Sequence, residues 1–141
     1  MQIPYALVSS LNRLQPQLTI LCIDDDPAIL KLYELRLSVG GARVLTSANG
    51  HHGFSAAIES NPDVILLDND LPGEKGVDLL SRLRSHPATA NIHVVMVTGS
   101  NTPALQRGAL MHGAVDVVQK PVDCGQLIDT INRLAAARGS D

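Results

Sequence analysis

Apolar residues recur along this chain in two rhythms. Short, nearly continuous runs at 19–23, 43–46, 64–67, 94–97 and 115–119 alternate with stretches in which apolar positions return every three or four residues. The first rhythm predicts strands and the second helices. The first, third and fourth runs are almost wholly apolar, as expected of parallel strands covered on both faces. The second is more polar and suits an edge strand.

The helical stretches carry start signals. Asp26 followed by Pro27 predicts an acidic N-cap with proline at the first helical position, and Leu30, Tyr33 and Leu37 then share a face with Ile29 beside it. Asn49 can cap a second helix, with Phe54, Ala57 and Ile58 turned inward. A third starts near Gly76 and presents Leu79, Leu80 and Leu83. Thr102 and Pro103 open a fourth, which Gly113 can stop. Asp123 can cap a fifth, where Cys124, Leu127, Ile128, Ile131, Leu134 and Ala135 fall at helical spacing.

Strand–helix alternation repeated five times predicts an α/β fold: a single doubly wound domain, with a parallel sheet, helices on both faces and right-handed crossovers. The 141 residues suffice for one domain. Residues 1–17, which include Pro4, Ser9, Ser10 and Pro16, read as an N-terminal extension outside the core. The domain proper spans 18–136, and 137–141 read as a tail.

Composition narrows the class. A hydrophobic fraction of 45% with 18% charged residues describes a globular chain. With one Phe, two Tyr and no Trp, the core must be aliphatic. A net charge of −3 gives no electrostatic reason to expect direct nucleic-acid binding. Cys22 and Cys124 form no ligand pattern and read as buried thiols. No apolar run approaches the ~20 residues of a membrane span. The start of the chain has no early positive charge, and its apolar run 3–8 is broken by Pro4, so it makes a poor signal peptide. These features point to a cytoplasmic protein with no membrane insertion.

The chemistry lies where polar residues interrupt the strands. The first strand runs into Asp24, Asp25 and Asp26, the third into Asp68, the fourth into Thr98 and the fifth into Lys120. In a parallel sheet these ends share one edge, where open α/β sheets bind ligands. Carboxylates gathered there repel one another unless a cation joins them, and oxygen donors suit Mg²⁺. Lys120 supplies a point charge and Thr98 a hydroxyl for phosphate oxygens. Since a carboxylate can accept a phosphoryl group covalently, the set describes a phosphoryl-transfer site with Asp68 as nucleophile.

Four segments carry a resemblance: 20–27 (ILCIDDDP), 64–76 (VILLDNDLPGEKG), 94–99 (VVMVTG) and 113–122 (GAVDVVQKPV). In order and spacing the sequence resembles the receiver (response-regulator) family of two-component signalling, over about residues 18–136. The resemblance implies a chemotaxis-receiver-like fold: a five-stranded parallel sheet in the order 2-1-3-4-5 flanked by five helices. It implies phosphoryl transfer onto Asp68 from a phosphohistidine on a sensor histidine kinase or histidine phosphotransfer protein. The output goes to an unidentified downstream protein. Asp24 and Asp25 match the family's acidic pair and Asp68 its phosphoacceptor. The main-chain carbonyl of Asp70 matches the third Mg²⁺-binding position. Thr98 matches the switch hydroxyl and Lys120 the family lysine, with a cis bond commonly found at the step Lys120–Pro121. Such a module is not an enzyme beyond catalysing its own phosphorylation and dephosphorylation. Two positions depart from the pattern. Val117 stands where the family usually has Tyr or Phe, and the variable position two after the acceptor holds the acidic Asp70.

Plainer readings stand beside these. Asp26 reads as a helix cap rather than a ligand. Asp63 reads as turn chemistry, and Glu74 and Asp78 as solvent-facing. His51, His52, His86, His93 and His112 read as surface residues, and Gly73 and Gly76 as a flexible loop with no nucleotide-cradle pattern. Two other functions compete. One is a haloacid-dehalogenase-type phosphatase using Asp68 and Asp70, which leaves the acids after the first strand unexplained. The other is a receiver-like interaction module that is never phosphorylated.

Overall fold

The computed structural model describes residues 18–139. Residues 1–17, read above as an extension, and 140–141 of the tail lie outside the described residues. The strands are β1 (Thr19–Ile23), β2 (Arg43–Ser47), β3 (Val64–Asp68), β4 (Asp70–Leu71), β5 (Glu74–Lys75), β6 (His93–Thr98) and β7 (Asp116–Gln119). The helices are α1 (Pro27–Val39), α2 (Gly50–Ser60), α3 (Gly76–Ser85), α4 (Pro103–Met111) and α5 (Cys124–Gly139). All five expected strands form, with ends shifted by about a residue, the usual uncertainty of such boundaries. Helix α5 continues through Gly139 and so includes positions 137–139 assigned above to the tail.

Five strands form one parallel sheet in the order β2-β1-β3-β6-β7, which is the expected order once β4 and β5 are set aside. Strands β1, β3 and β6 are buried almost throughout, because helices cover both faces and every second residue finds a core on each side. On one face Cys22, Leu66 and Val97 pack with Tyr33 and Leu37 of α1 and with Leu127, Ile128 and Ile131 of α5. On the other, Ile23, Leu67 and Met96 pack with Ala57 of α2, Leu79, Leu80 and Leu83 of α3, and Ala109 of α4.

The start signals act as expected. Asp26 Oδ1 accepts from Ala28 N at 2.9 Å, Asn49 Oδ1 from His52 N at 2.8 Å, Thr102 Oγ1 from Leu105 N at 3.1 Å, and Asp123 Oδ1 from Gln126 N at 3.1 Å. Asp63 closes the entry to β3, with Oδ2 accepting from Thr19 N at 2.8 Å.

Three expectations are corrected. The segment around Gly73 is an antiparallel hairpin, β4 with β5, rather than a flexible loop. Gly73 turns it at φ 77°, a conformation glycine adopts without strain. Glu74 does not face solvent freely: it is half-buried and pairs with Arg82 Nη1 at 2.8 and 2.9 Å. The inward face of α2 holds Gly50, Gly53 and Ala57, with Phe54 and Ile58 half-buried. Helix α2 approaches β1 so closely that a Cβ on Gly53 would sit 2.6 Å from Ile23 Cδ1. Phe54 instead lies edge-on to His86 and under the Arg82 guanidinium, 4.6 Å from its ring centre.

Arg84 fastens the opposite end of the sheet. Its guanidinium donates to the carbonyls of Ala90, Ile92 and Gly113 at 3.2, 2.7 and 2.7 Å. Gly113, at φ 105°, follows α4 in the left-handed region and leaves room for the arginine. A Cβ there would lie 2.6 Å from Arg84 Nε.

Candidate functional site

After β1 the chain crosses outward to β2, then returns to β3 on the other side of β1. The strand order reverses there, and a crevice opens beyond the strand ends. Asp24 follows β1 and Asp68 ends β3, so both stand at that reversal. Asp24, Asp25 and Asp68 each place a carboxylate oxygen within 4.8 Å of the others. Asp24 and Asp68 are buried and Asp25 is exposed. Among the described residues no other group of three or more His, Cys, Asp or Glu side chains gathers this way. His51, His52 and His112 are exposed, while His86 and His93 are half-buried rather than fully at the surface.

Lys120 enters from the end of β7. Its Nζ lies 2.9 Å from Asp24 Oδ2 and 3.3 Å from Asp68 Oδ1. Its main-chain N–H donates to the Thr98 carbonyl at 2.8 Å, so lysine and threonine are fixed by the same ladder. The Lys120–Pro121 bond is cis, as the resemblance implied. Thr98 is fully buried at the end of β6, and its Oγ1 accepts from Ser100 N at 3.1 Å. Asp26 points away as the cap of α1. Asp70 is exposed at the start of β4, and its main-chain N–H donates to Asp68 Oδ1 at 3.3 Å.

The electrostatics follow from burial. Desolvation raises the Asp68 pKa above the ordinary carboxylate value. The Asp70 N–H bond opposes this, the charge of Asp24 adds to it, and Lys120 pulls the other way. Burial alone would lower Lys120, but the hydrogen bond to Asp24 and the charges of Asp24 and Asp68 outweigh it and hold the ammonium above its usual pKa. One cation therefore answers two buried carboxylates. The remaining negative charge and oxygen donors fit a hard divalent cation such as Mg²⁺.

Several contributors were not legible. Gly76 lets α3 start against the backbone at Asp68: a Cβ there would lie 2.6 Å from the Asp68 carbonyl oxygen and 2.7 Å from Asn69 Cα. A glycine after a Gly-containing turn reads as loop in a sequence, and only the register shows what it approaches. Asn69, beside Asp68, is buried, and its Oδ1 has no hydrogen-bond partner among the described residues. Tyr33 is buried on the α1 side with its pKa pushed up by desolvation, then by the charges of Cys22, Asp24, Cys124 and Asp68. Val117 is buried among the α3- and α4-side core residues, in register with Met96.

A doubly wound five-stranded sheet with an acidic cluster and a lysine at its switch point defines a class, the CheY-like signalling domains. The chain belongs to the response regulator receiver domain family, whose model matches residues 20–132. It is similar to Protein PilH of Pseudomonas aeruginosa, 33% identical over 117 residues that cover 83% of this chain and 97% of that protein. It is also similar to the transcriptional regulatory protein AfsQ1 of Streptomyces coelicolor, 36% identical over 86% of this chain and 52% of that protein. The chain spans about half the length of the first curated relatives it matches. A solved structure of a CheY-like receiver domain protein from Methanospirillum hungatei superposes with a TM-score of 0.81 at 27% identity, covering 88% of this chain and 98% of that one.

The protein is thus a receiver domain of two-component signalling. Receiver domains are signalling modules rather than turnover enzymes, and they bind Mg²⁺ at an acidic cluster of the kind present here. Among the described residues no helix is long and apolar enough to cross a membrane.

Proposed function

We propose that Asp68 is the phosphoacceptor and that Asp24, Asp25, Thr98 and Lys120 serve its reaction. The observation that carries this is Lys120 Nζ bridging Asp24 and Asp68, with Asp25 alongside. The donor is a phosphohistidine on a sensor histidine kinase or histidine phosphotransfer protein. An Asp68 carboxylate oxygen forms the new P–O bond as the P–N bond breaks, and the imidazole nitrogen keeps the electron pair. Lys120 stands ready to meet a phosphoryl oxygen in place of the Asp68 oxygen it now holds. Thr98 offers its hydroxyl proton to a second oxygen. Asp24, Asp25, an Asp68 oxygen and the main-chain carbonyl of Asp70 would hold Mg²⁺, which neutralises charge on the transferring group when bound.

The chain is charged once per donor phosphoryl and discharges by hydrolysis, so it catalyses only its own modification. Asp70, exposed two residues after the nucleophile, influences how long the phosphoryl group survives. The domain spans 18–136, it works in the cytoplasm, and its output passes to a separate protein or to further domains of a longer regulator. Intact-mass measurement after incubation with a small acyl phosphate and Mg²⁺ tests the reading. One phosphoryl mass is expected on the wild type and none on Asp68→Asn. Equal phosphorylation of the two would remove Asp68 from its role.

A further inference from the structure

Asp70 opens the β4–β5 hairpin, and two of its main-chain groups bear on the site. Its N–H donates to Asp68 Oδ1 at 3.3 Å, and its carbonyl is assigned above to Mg²⁺. Where that carbonyl sits depends on where the hairpin sits. The hairpin has two residues to a side, with Asp70 opposite Lys75 and Leu71 opposite Glu74. A pair of strands this short does not hold itself in place. Its tip is no anchor: a Cβ on Gly73 would meet no atom of the described residues within 4 Å.

Each strand is tied down by one side chain. Leu71 of β4 is buried in the core that holds Leu79, Leu80 and Leu83 of α3. Glu74 ties β5. Its two carboxylate oxygens accept from Arg82 Nη1 at 2.8 and 2.9 Å. The carboxylate also lies against the first residue of α2, so close that a Cβ on Gly50 would be 2.5 Å from Glu74 Oε1. The N-terminal end of a helix favours negative charge. Arg82, in the last turn of α3, is steadied in turn by Phe54 of α2, with its guanidinium 4.6 Å from the ring centre. Lys75, the N-cap of α3, makes no side-chain capping bond. The Glu74–Arg82 contact therefore also joins the hairpin to the helix that follows it.

We infer that Arg82 is a positioning residue for the Mg²⁺ site. It clamps Glu74 between α2 and α3, which sets the β4–β5 hairpin and so the Asp70 main chain beside Asp68. This rests on the proposed Mg²⁺ site at Asp24, Asp25, Asp68 and the Asp70 carbonyl. Neither Glu74 nor Arg82 belongs to the acidic cluster itself. The sign of the effect separates positioning from charge. Removing a cation near carboxylates strengthens their hold on Mg²⁺ by Coulomb attraction alone, whereas freeing the hairpin weakens it.

The test is an Mg²⁺ titration of the full chain followed by backbone amide NMR, with no phosphodonor present. Arg82→Gln should bind Mg²⁺ about two- to fivefold more weakly than the wild type, the bias a partly exposed ion pair can supply. The amides of Asp70 and Leu71 should exchange faster with solvent in that variant. Glu74→Gln should show a similar loss, and the double variant no further loss, because Arg82 acts through Glu74. With a small acyl phosphate, the Mg²⁺ concentration for half-maximal phosphorylation of Arg82→Gln should rise by more than the rate at saturating Mg²⁺ falls. An affinity that is unchanged or tighter in Arg82→Gln overturns the proposal while leaving the acidic cluster as the Mg²⁺ site, and so do losses that add in the double variant. A wild type in which no amide at 24–25 or 68–70 shifts with Mg²⁺ overturns both readings.

Discussion

Lys120 and Asp68 stand 52 positions apart in sequence, yet Lys120 Nζ lies 3.3 Å from Asp68 Oδ1. The same ammonium is closer still to Asp24, at 2.9 Å. It joins the ends of β7, β3 and β1 across the crevice, holding together carboxylates that would otherwise repel one another.

Replacing it with an apolar residue of similar length should therefore cost stability. Lys120→Met leaves two buried carboxylates without their cation. Breaking a buried pair costs up to ~3–5 kcal/mol, and the partial exposure of Lys120 reduces this to about 2 kcal/mol. Mg²⁺ should recover part of the loss, because it meets the same oxygens. The pH dependence has a definite sign. The Lys120 pKa is raised in the folded state, so the pair's contribution is complete below the ordinary lysine pKa and disappears as pH rises through the folded value. Denaturant titrations from neutral to strongly alkaline pH should show this loss in the wild type and not in Lys120→Met.

Asp68 behaves in the opposite sense from a stabilising carboxylate. Its folded pKa is raised, chiefly by desolvation. From the ordinary carboxylate pKa up to the raised one, the folded chain keeps a proton that the unfolded chain has released. Stability therefore falls with rising pH across that window. Asp68→Asn should remove the fall and melt higher than the wild type at neutral pH. Parallel melting curves of the two proteins without Mg²⁺, in steps across roughly pH 3 to 8, should show the slope in the wild type and its loss in Asp68→Asn; equal slopes would contradict it.

Two glycines give a contrast in which only the surroundings differ. A Cβ on Gly76 meets main-chain atoms, the Asp68 carbonyl oxygen and Asn69 Cα, which cannot step aside as a side chain can. Gly76→Ala should cost about 2 kcal/mol and slow phosphorylation by displacing the acceptor. Gly108, within α4, has open space where its Cβ would go. Gly108→Ala should stabilise by ~0.5–1 kcal/mol and leave phosphorylation unchanged. Chemical denaturation with a phosphorylation time course reads both.

The sequence was most readable where periodicity and chemistry coincide. Runs such as 64–67 announced the buried strands, and their polar terminators Asp24, Asp68, Thr98 and Lys120 announced the edge they share, because parallel topology leaves strand ends nowhere else to go. Less visible were features that depend on how closely two elements approach. Gly53 displaced Phe54 from the inner face of α2 because that helix nearly touches Ile23. The hairpin of β4 and β5 is two residues to a side, too short for any alternation to register. Arg84 reads as a surface arginine until its three carbonyl partners are in place. Glu74 and Arg82 pair from a hairpin to a helix, outside the three- and four-residue spacings that a helix pattern reveals.

The switch should also differ from one built on an aromatic residue. Val117 sits at 9% exposure in register with Met96, packed into the core on the α3 and α4 side. A β-branched side chain is stiff at χ1 and sweeps little volume. When Thr98 turns toward a phosphoryl group, the contact it releases is the one to Ser100 N. That amide opens the exposed loop into α4, whose first turn is held by Thr102 Oγ1 on Leu105 N. The strand behind it is anchored, since Lys120 N remains on the Thr98 carbonyl. The conformational response should therefore run forward into 98–105 rather than sideways into Asp116–Gln119, and a partner that distinguishes the two loop arrangements would read it as a population shift. Backbone NMR with and without a beryllium fluoride phosphoryl mimic and Mg²⁺ gives the measurement. The largest shift changes are expected across 98–105 and smaller ones along β7. If Val117 and its strand neighbours moved most while 99–102 stayed still, the loop would not be the output path.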